Sequence, residues 1–119
     1  MLRKCLRRLL LFVMLLATLP VFAQTFESGG IYYNLYYDYD DSGNFIPVYA
    51  GVIYPQDGSK YSGEIVIPAS VEYEGIEYQV SAIGNEAFRD CSSLKYIKLP
   101  SSLTTIGDWA FSGCSSLTP

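Results

Sequence analysis

A twelve-residue string recurs in the second half of the chain and restricts the possible folds more than any other feature. Residues 83–94 return as residues 106–117, at an offset of 23 positions and with eight of the twelve residues identical. Such a period is typical of solenoids, in which each coil buries its apolar face against neighbouring coils. We therefore predict stacked coils here, which are stable only as part of an array.

The residues between the two copies supply the strand of a coil. Residues 94–100 follow the pattern L-x-x-L-x-L of leucine-rich repeats. An earlier echo at residues 65–70 matches residues 97–102, but the path from that echo to Ile83 is longer by nine residues. The extra length predicts a hairpin inserted at residues 71–80, with a two-residue turn at Glu74-Gly75 that sets Glu72 opposite Glu77.

Side chains alternate along a strand, so each coil has inward and outward positions. The inward positions and the apolar residues of the returning turn are predicted to form the repeat core, and Gly84 and Gly107 are predicted to allow sharp turns. This core comprises Ile83, Ala87, Phe88, Cys91, Leu94, Ile97, Leu99, Leu103, Ile106, Ala110, Phe111, Cys114 and Leu117. The outward positions Glu64, Val66, Tyr96 and Lys98, which we call the outward face, are the candidate partner-binding surface.

A Tyr-rich β region, residues 24–62, precedes the repeats. Residues 31–39 alternate with a period of two, which predicts a half-buried strand. Its predicted buried side comprises Ile31, Tyr33, Leu35, Tyr37 and Tyr39. After a turn at residues 40–44, residues 45–54 form the returning strand, in which Pro47 indicates a sheet edge. We predict that this hairpin caps the first coil and covers its exposed sheet edge.

The repeat string carries a family resemblance. I-G-x-x-A-F-x-x-C-S-S-L followed by x-x-I-x-L-P-x-S-L, over about residues 63–119, resembles the leucine-rich repeats of BspA-like bacterial surface proteins. Residues 27–62, with G-I-Y-Y at residues 30–33, and the later hairpin V-x-Y-x-G-x-x-Y-x-V also resemble segments of that family. The resemblance implies a mainly β fold with short helical or turn segments. It also implies a non-catalytic role in adhesion or in binding an extracellular or host protein.

The first 23 residues have the order of a secretion signal. A basic stretch at residues 3–8 leads into the apolar residues 9–19, then Pro20 and a short segment ending in Ala23. The apolar run is shorter than the roughly 20 residues of a membrane-spanning helix. We predict cleavage after Ala23, no transmembrane span in the mature chain, and a secreted or cell-surface protein. Because the repeat stops where its next strand is due, we expect an N-terminal fragment of a longer protein.

Charge argues against several partners. Without residues 1–23 the chain keeps four basic side chains against twelve acidic ones, a formal net charge of −8. Such a charge disfavours nucleic acid and anionic membrane surfaces. Histidine is absent from the sequence, which removes the usual general base and histidine-bound zinc. We predict no enzyme, no cofactor and no metal.

Two short strings imitate chemical motifs. Residues 38–43 spell D-x-D-x-S-G like half a calcium loop, but Tyr49 stands where the loop needs a glutamate. Residues 92–95 spell S-x-x-K, but Thr118 stands in place of the lysine after the second copy of the repeat. Both are interpreted as polar turns.

The cysteines and tyrosines each have two interpretations. Cys91 and Cys114 hold equivalent repeat positions, which favours two reduced core thiols, with a disulfide as the alternative. Carbohydrate binding is the alternative to protein binding, because exposed rings such as Tyr32 and Tyr36 would stack on sugar faces. A purely structural segment of a larger protein is a further alternative.

Overall fold

A computed structural model describes residues 24–118 of the 119-residue chain. The predicted secretion signal at residues 1–23 lies outside the described residues. The described chain consists of strands joined by turns and contains no helix. The strands are β1 Gln24–Ser28, β2 Ile31–Tyr39, β3 Phe45–Ile53, β4 Gly63–Val66, β5 Ser70–Tyr73, β6 Ile76–Ile83, β7 Leu94–Lys98 and β8 Thr105–Ile106. The mainly β fold with turn segments is therefore confirmed.

Most strands belong to one curled sheet in the order β1-β2-β3-β6-β5. Its two edge strands, β1 and β5, lie close to each other. Gln24 Nε2 on β1 donates a hydrogen bond to the Tyr73 hydroxyl on β5 at 2.6 Å. The Phe26 ring also stacks on the Tyr73 ring with centroids 4.4 Å apart. We call this curled sheet the half-barrel. Its interior is filled by apolar side chains that include Tyr33, Leu35 and Val80.

The period-two pattern of β2 describes its first half only. Ile31, Tyr33 and Leu35 are buried, but Tyr37 is half-buried and Tyr39 is 68% exposed. The end of β2 pairs with the exposed start of β3, so this part of the hairpin extends beyond the core. The prediction that Tyr39 lies on the buried side was wrong, because this end of the hairpin lies outside the core formed by residues 24–118.

The returning strand β3 has a different neighbour on each side. It pairs antiparallel with β2 along its length and parallel with β6 from Ala50 to Val52. Pro47 was predicted to mark an edge strand, whereas β3 is interior to the sheet. Pro47 has no N–H to donate to a neighbouring strand. It lies before the parallel pairing with β6, which begins at Ala50, so no hydrogen bond to β6 is lost.

The coils of the solenoid are stacked by parallel backbone ladders. One ladder joins β3 to β6 and β6 to β8, and a second joins β4 to β7. The intervening turns are also linked, since the Phe88 N–H donates to the Ala110 carbonyl at 2.8 Å. The capping hairpin thus enters the solenoid directly, with the end of β3 placed like a coil strand ahead of β6.

The inserted hairpin is confirmed. β5 and β6 pair antiparallel around a turn at Glu74 and Gly75, both of which have positive φ values, 51° and 82°. Two positive φ values are typical of the type I′ turns that join strands through two residues. Glu72 faces Glu77 across the pair, as the sequence predicted.

The glycines of the repeat serve a purpose other than the predicted sharp turn. Gly84 and Gly107 lack positive φ values, which occur instead two positions later in each copy, at Glu86 and Trp109. A Cβ on Gly107 would lie 2.6 Å from the Asn85 backbone nitrogen. Gly107 is required because two coil backbones meet there, with its N–H donating to the Ile83 carbonyl at 2.8 Å.

Gly107→Ala is accordingly expected to lower the free energy of unfolding by about 1–3 kcal/mol, since a methyl group forces two backbones apart. Thermal unfolding followed by circular dichroism measures the effect. The adjacent change Asp108→Ala, at an exposed side chain, is the control and should melt close to the parent protein. Equal melting of Gly107→Ala and the parent would contradict the close approach.

Burial differs between the two copies of the repeat. In the inner repeat, residues 83–94, the predicted core positions Ile83, Ala87, Phe88, Cys91 and Leu94 are all buried. In the outer repeat, residues 106–117, Ala110 is buried, whereas Phe111, Cys114 and Leu117 are only partly so. Ile83 is 1% exposed and its equivalent Ile106 is 50% exposed.

The exposure follows position in the stack. Ile97 and Leu103 pack partly against the core, but Leu99 is 38% exposed, in contrast to its inner equivalent Ile67 at 2%. Leu99 and Ile106 thus depart from the predicted burial, because no described residue forms a coil beyond them. Their side chains belong to the apolar face that each coil presents to its neighbour.

Candidate binding face

The outward face lies on the two-stranded parallel sheet formed by β4 and β7. Glu64 pairs with Tyr96, and Val66 pairs with Lys98. All four side chains are exposed, Val66 by 60% and Tyr96 by 47%. The structure therefore brings the four predicted residues together on one surface, with each ring or aliphatic chain beside a charged neighbour.

The alternation of β4 and β7 orients this surface. Ile65 and Ile97 pair with each other and pack against the core, so the residues on either side of them point outward. The register shifts by one residue after Gly63, which pairs with Leu94, so that Glu64 pairs with Tyr96 and Lys95 has no partner. Such a bulge re-aims the following side chains.

Charge on the outward face differs from that of the rest of the chain. Residues 24–118 contain four basic residues, and two of them, Lys95 and Lys98, lie on β7. The other two are engaged elsewhere. Arg89 forms an ion pair with Glu86 at 3.2 Å and lies over the Trp109 ring at 5.5 Å. Lys60 donates to the Arg89 carbonyl.

The lysines of β7 are available to a partner. Neither Lys95 nor Lys98 forms an ion pair with any of residues 24–118. The outward face therefore combines an exposed ring, the free ammonium group of Lys98 and one carboxylate, with Lys95 beside it on β7. This mixture suits recognition of a polar protein surface.

Cys91 and Cys114 are free thiols in equivalent repeat positions. Burial raises the pKa of both thiols. Cys114 Sγ donates to the Phe88 carbonyl at 3.0 Å. A thiol with a raised pKa is a poor nucleophile, so both cysteines act as small apolar side chains of the core.

The calcium-like string forms a local turn. The Asp40 carboxylate accepts hydrogen bonds from the backbone N–H groups of Ser42 and Asn44, each at 2.9 Å, and these bonds lower its pKa. Among residues 24–118 no group of three or more acidic or cysteine side chains is arranged to hold a metal ion. The carboxylate is occupied by the turn itself.

The rings predicted to serve carbohydrate binding are engaged in packing. Tyr36 stacks on Tyr49 with centroids 4.9 Å apart and lies over Gly51, where a Cβ would meet the ring at 2.7 Å. Tyr32 is half-buried, and burial together with the Asp57 carboxylate raises the pKa of its hydroxyl. Neither ring belongs to an open platform.

Tyr61 is a structural residue that the sequence analysis missed. Its buried hydroxyl accepts from the Tyr32 N–H at 2.9 Å and donates to the Ile53 carbonyl at 2.7 Å. Its ring contacts Phe88 with centroids 4.7 Å apart. One side chain thus ties the half-barrel to the repeat core. A lone tyrosine outside both patterns carries no sequence signal of such a role.

Parallel ladders, inward apolar residues and linked turns define the chain as a leucine-rich solenoid joined to a β cap. A family model described as a BspA type leucine-rich repeat region, with six copies, matches residues 65–119. Residues 65–119 are therefore similar to the BspA-type leucine-rich-repeat family, as the repeat string predicted.

One solved structure has a similar fold, and a second is similar over a smaller part of its length. A leucine-rich repeat protein from Bacteroides capillosus ATCC 29799 is similar over 79% of this chain and 62% of its own, with 29% identity and a TM-score of 0.60. One from Bacteroides ovatus ATCC 8483 has 30% identity and a TM-score of 0.46 over 70% of this chain and 20% of its own. The chain therefore spans less than two thirds of either protein. None of the curated proteins compared with it matches.

Proposed function

We propose that this chain is an exported, non-catalytic scaffold that binds an extracellular or host protein through the outward face. The observation that carries the proposal is the cluster of Glu64, Val66, Tyr96 and Lys98 on one exposed parallel sheet. Solenoids present such repeated strand surfaces to their partners. An exposed tyrosine beside aliphatic and charged side chains is also the composition of interface hot spots.

The packing of aromatic and thiol side chains supports a scaffold. Tyr36, Tyr61 and Cys91 are occupied by packing and hydrogen bonding within the fold. Residues 24–118 contain no helix long and apolar enough to cross a membrane. The proposed cell-surface or secreted location rests on the signal-like order of residues 1–23.

Export predicts a defined mature N-terminus. Signal peptidase is expected to cut after Ala23, because small residues end the segment that follows the apolar run. Mass spectrometry of the exported protein should identify Gln24 as the first residue. Recovery of exported chains that still carry residues 1–23 would contradict cleavage.

The binding role predicts a local effect of changes on the outward face. The paired change Tyr96→Ala and Lys98→Glu should weaken capture of an extracellular protein by at least about tenfold, since it removes a central ring and inverts a charge. Circular dichroism should be unchanged, because both side chains are exposed. Affinity capture of extracellular proteins, quantified for parent and variant, provides the measurement.

A matched control is available on another surface. Tyr54→Ala with Lys60→Glu makes the same changes in ring content and charge, at an exposed tyrosine and lysine away from β4 and β7. This variant should retain binding. Equal binding by the parent and the outward-face variant would reject the proposed surface, and glycan-array binding lost with Tyr32 and Tyr36 would favour the carbohydrate alternative.

A further inference from the structure

The mouth of the half-barrel contains a pocket that no part of the proposed scaffold function uses. It has a volume of about 370 Å³ and lies between the end of the β2–β3 hairpin and the tip of the β5–β6 hairpin. We call it the tyrosine pocket, because Tyr37, Tyr73 and Tyr78 line it together with Glu74 and Gln24. Barrel mouths are common positions for small-molecule sites, and this volume is at the lower end of their range.

The rings that border the tyrosine pocket are held in place by other rings. Tyr37 stacks on Phe45 with centroids 5.0 Å apart, and Tyr73 stacks on Phe26 at 4.4 Å. The Tyr73 hydroxyl is fixed further by Gln24. Binding a ligand here therefore requires little ordering of side chains, which favours affinity.

The pocket lies in an acidic part of the molecule. The cap and the inserted hairpin, residues 24–59 and 70–83, contain no lysine, arginine or histidine. The hairpin alone carries Glu72, Glu74 and Glu77. An anionic ligand would meet repulsion at this mouth, whereas a cation would be attracted.

The aromatic rings and the carboxylate that line the tyrosine pocket surround the same cavity. Burial raises the pKa of the Tyr37 hydroxyl, and Tyr78, Tyr73 and Glu74 raise it further. Tyr37, Tyr73, Tyr78 and Glu74 all line the same pocket. A cation in that space would meet aromatic rings, whose faces attract positive charge, and a carboxylate that neutralises it.

We propose that the tyrosine pocket binds an alkylammonium group, carried either by a small molecule such as choline or by a lysine side chain. Three tyrosines and a carboxylate around a small cavity supply both attractions that such a group requires. The site is separate from the outward face, so its ligand is additional to the protein partner proposed above.

Titration of the purified protein with two pairs of probes tests the proposal. Choline is compared with uncharged 3,3-dimethyl-1-butanol, and N-acetyl-lysine methylamide with N-acetyl-norleucine methylamide. Amide shifts of Tyr37, Glu74 and Gly75 in two-dimensional NMR locate binding. In at least one pair the cation should bind about tenfold more tightly than its uncharged counterpart, and the pair that responds identifies the source of the group.

Variants separate ring, hydroxyl and charge. Tyr37→Leu should weaken cation binding by about fivefold, whereas Tyr37→Phe should stay within about twofold, because the aromatic face supplies the attraction. Glu74→Gln should also weaken binding several-fold. Glu72→Gln, which makes the same charge change on the same hairpin outside the pocket, is its control and should bind like the parent.

Several results would overturn the alkylammonium site. They are equal binding of cations and uncharged counterparts, absence of shifts at the pocket with both cations, and equal losses in Tyr37→Phe and Tyr37→Leu. Methyl glucoside serves as a neutral sugar probe in the same titration. If it binds more tightly than both cations, the ligand of the pocket is a sugar and not a cation. Tyr96→Ala with Lys98→Glu should leave probe binding unchanged, so failure of this proposal is distinguishable from failure of the protein-binding one.

Discussion

Phe88→Ala is expected to lower the free energy of unfolding by about 3–5 kcal/mol, the range for truncating a fully buried phenylalanine. The Phe88 side chain is 0% exposed. It lies between Tyr61 at 4.7 Å and Phe111 at 5.2 Å, measured between ring centroids. Its loss leaves a cavity at the point where the half-barrel meets the coils. Urea unfolding followed by circular dichroism measures the change.

Phe111→Ala is the matched control within the same repeat. Phe111 occupies the equivalent position 23 residues later and stacks on Phe88, but it is only partly buried. Its truncation should therefore cost clearly less than that of Phe88, although the sequence alone assigned the two rings the same role. Equal costs for both variants would contradict the difference in burial between the inner and the outer repeat.

Alkaline pH is expected to unfold the protein through its buried tyrosines. Burial raises the pKa of Tyr33 to about 12 from its ordinary value of 10.0, and it also raises the pKa of Tyr61. The unfolded chain therefore loses these protons first. The stability linked to Tyr33 is complete below about pH 10 and is lost as pH rises towards 12, a change of about 2–3 kcal/mol.

Urea unfolding at several values between pH 8 and pH 12 measures this loss. Tyr33→Phe should show a shallower decline than the parent, because the titrating hydroxyl is gone. At neutral pH the variant should remain folded, since the Tyr33 hydroxyl has no hydrogen bond to another of residues 24–118. Parallel pH profiles for parent and variant would exclude Tyr33 as the source.

The features of the fold that depend on local sequence patterns could be predicted. The inserted hairpin follows from Glu74-Gly75 between two alternating segments, which places Glu72 opposite Glu77 whatever the surroundings. Placement of Glu64 and Tyr96 on one sheet follows from the repeat offset, because equivalent residues of successive coils stack. Period and turn chemistry are short-range properties, so they are readable from the chain.

Other features depend on which segments meet in space. Nothing local in β3 indicates a parallel partner, yet β6 pairs with it and makes Pro47 part of an interior strand. Gly107 is needed because Asn85 of the preceding coil approaches it, not because its own backbone turns. The tyrosine pocket likewise arises only when the β2–β3 and β5–β6 hairpins face each other.

The sequence by itself determined the class of protein, through a repeat with a period of 23 residues, and it determined which side chains of β4 and β7 face outward, through alternation along these two strands. The tertiary structure alone decided how deeply each repeat residue is buried. Ile83 and Ile106 occupy the same position of the repeat motif, yet they are 1% and 50% exposed. The burial of a residue depends on what packs on both sides of its coil. The repeat motif is the same in every coil, so it does not specify which coil has neighbours on both sides.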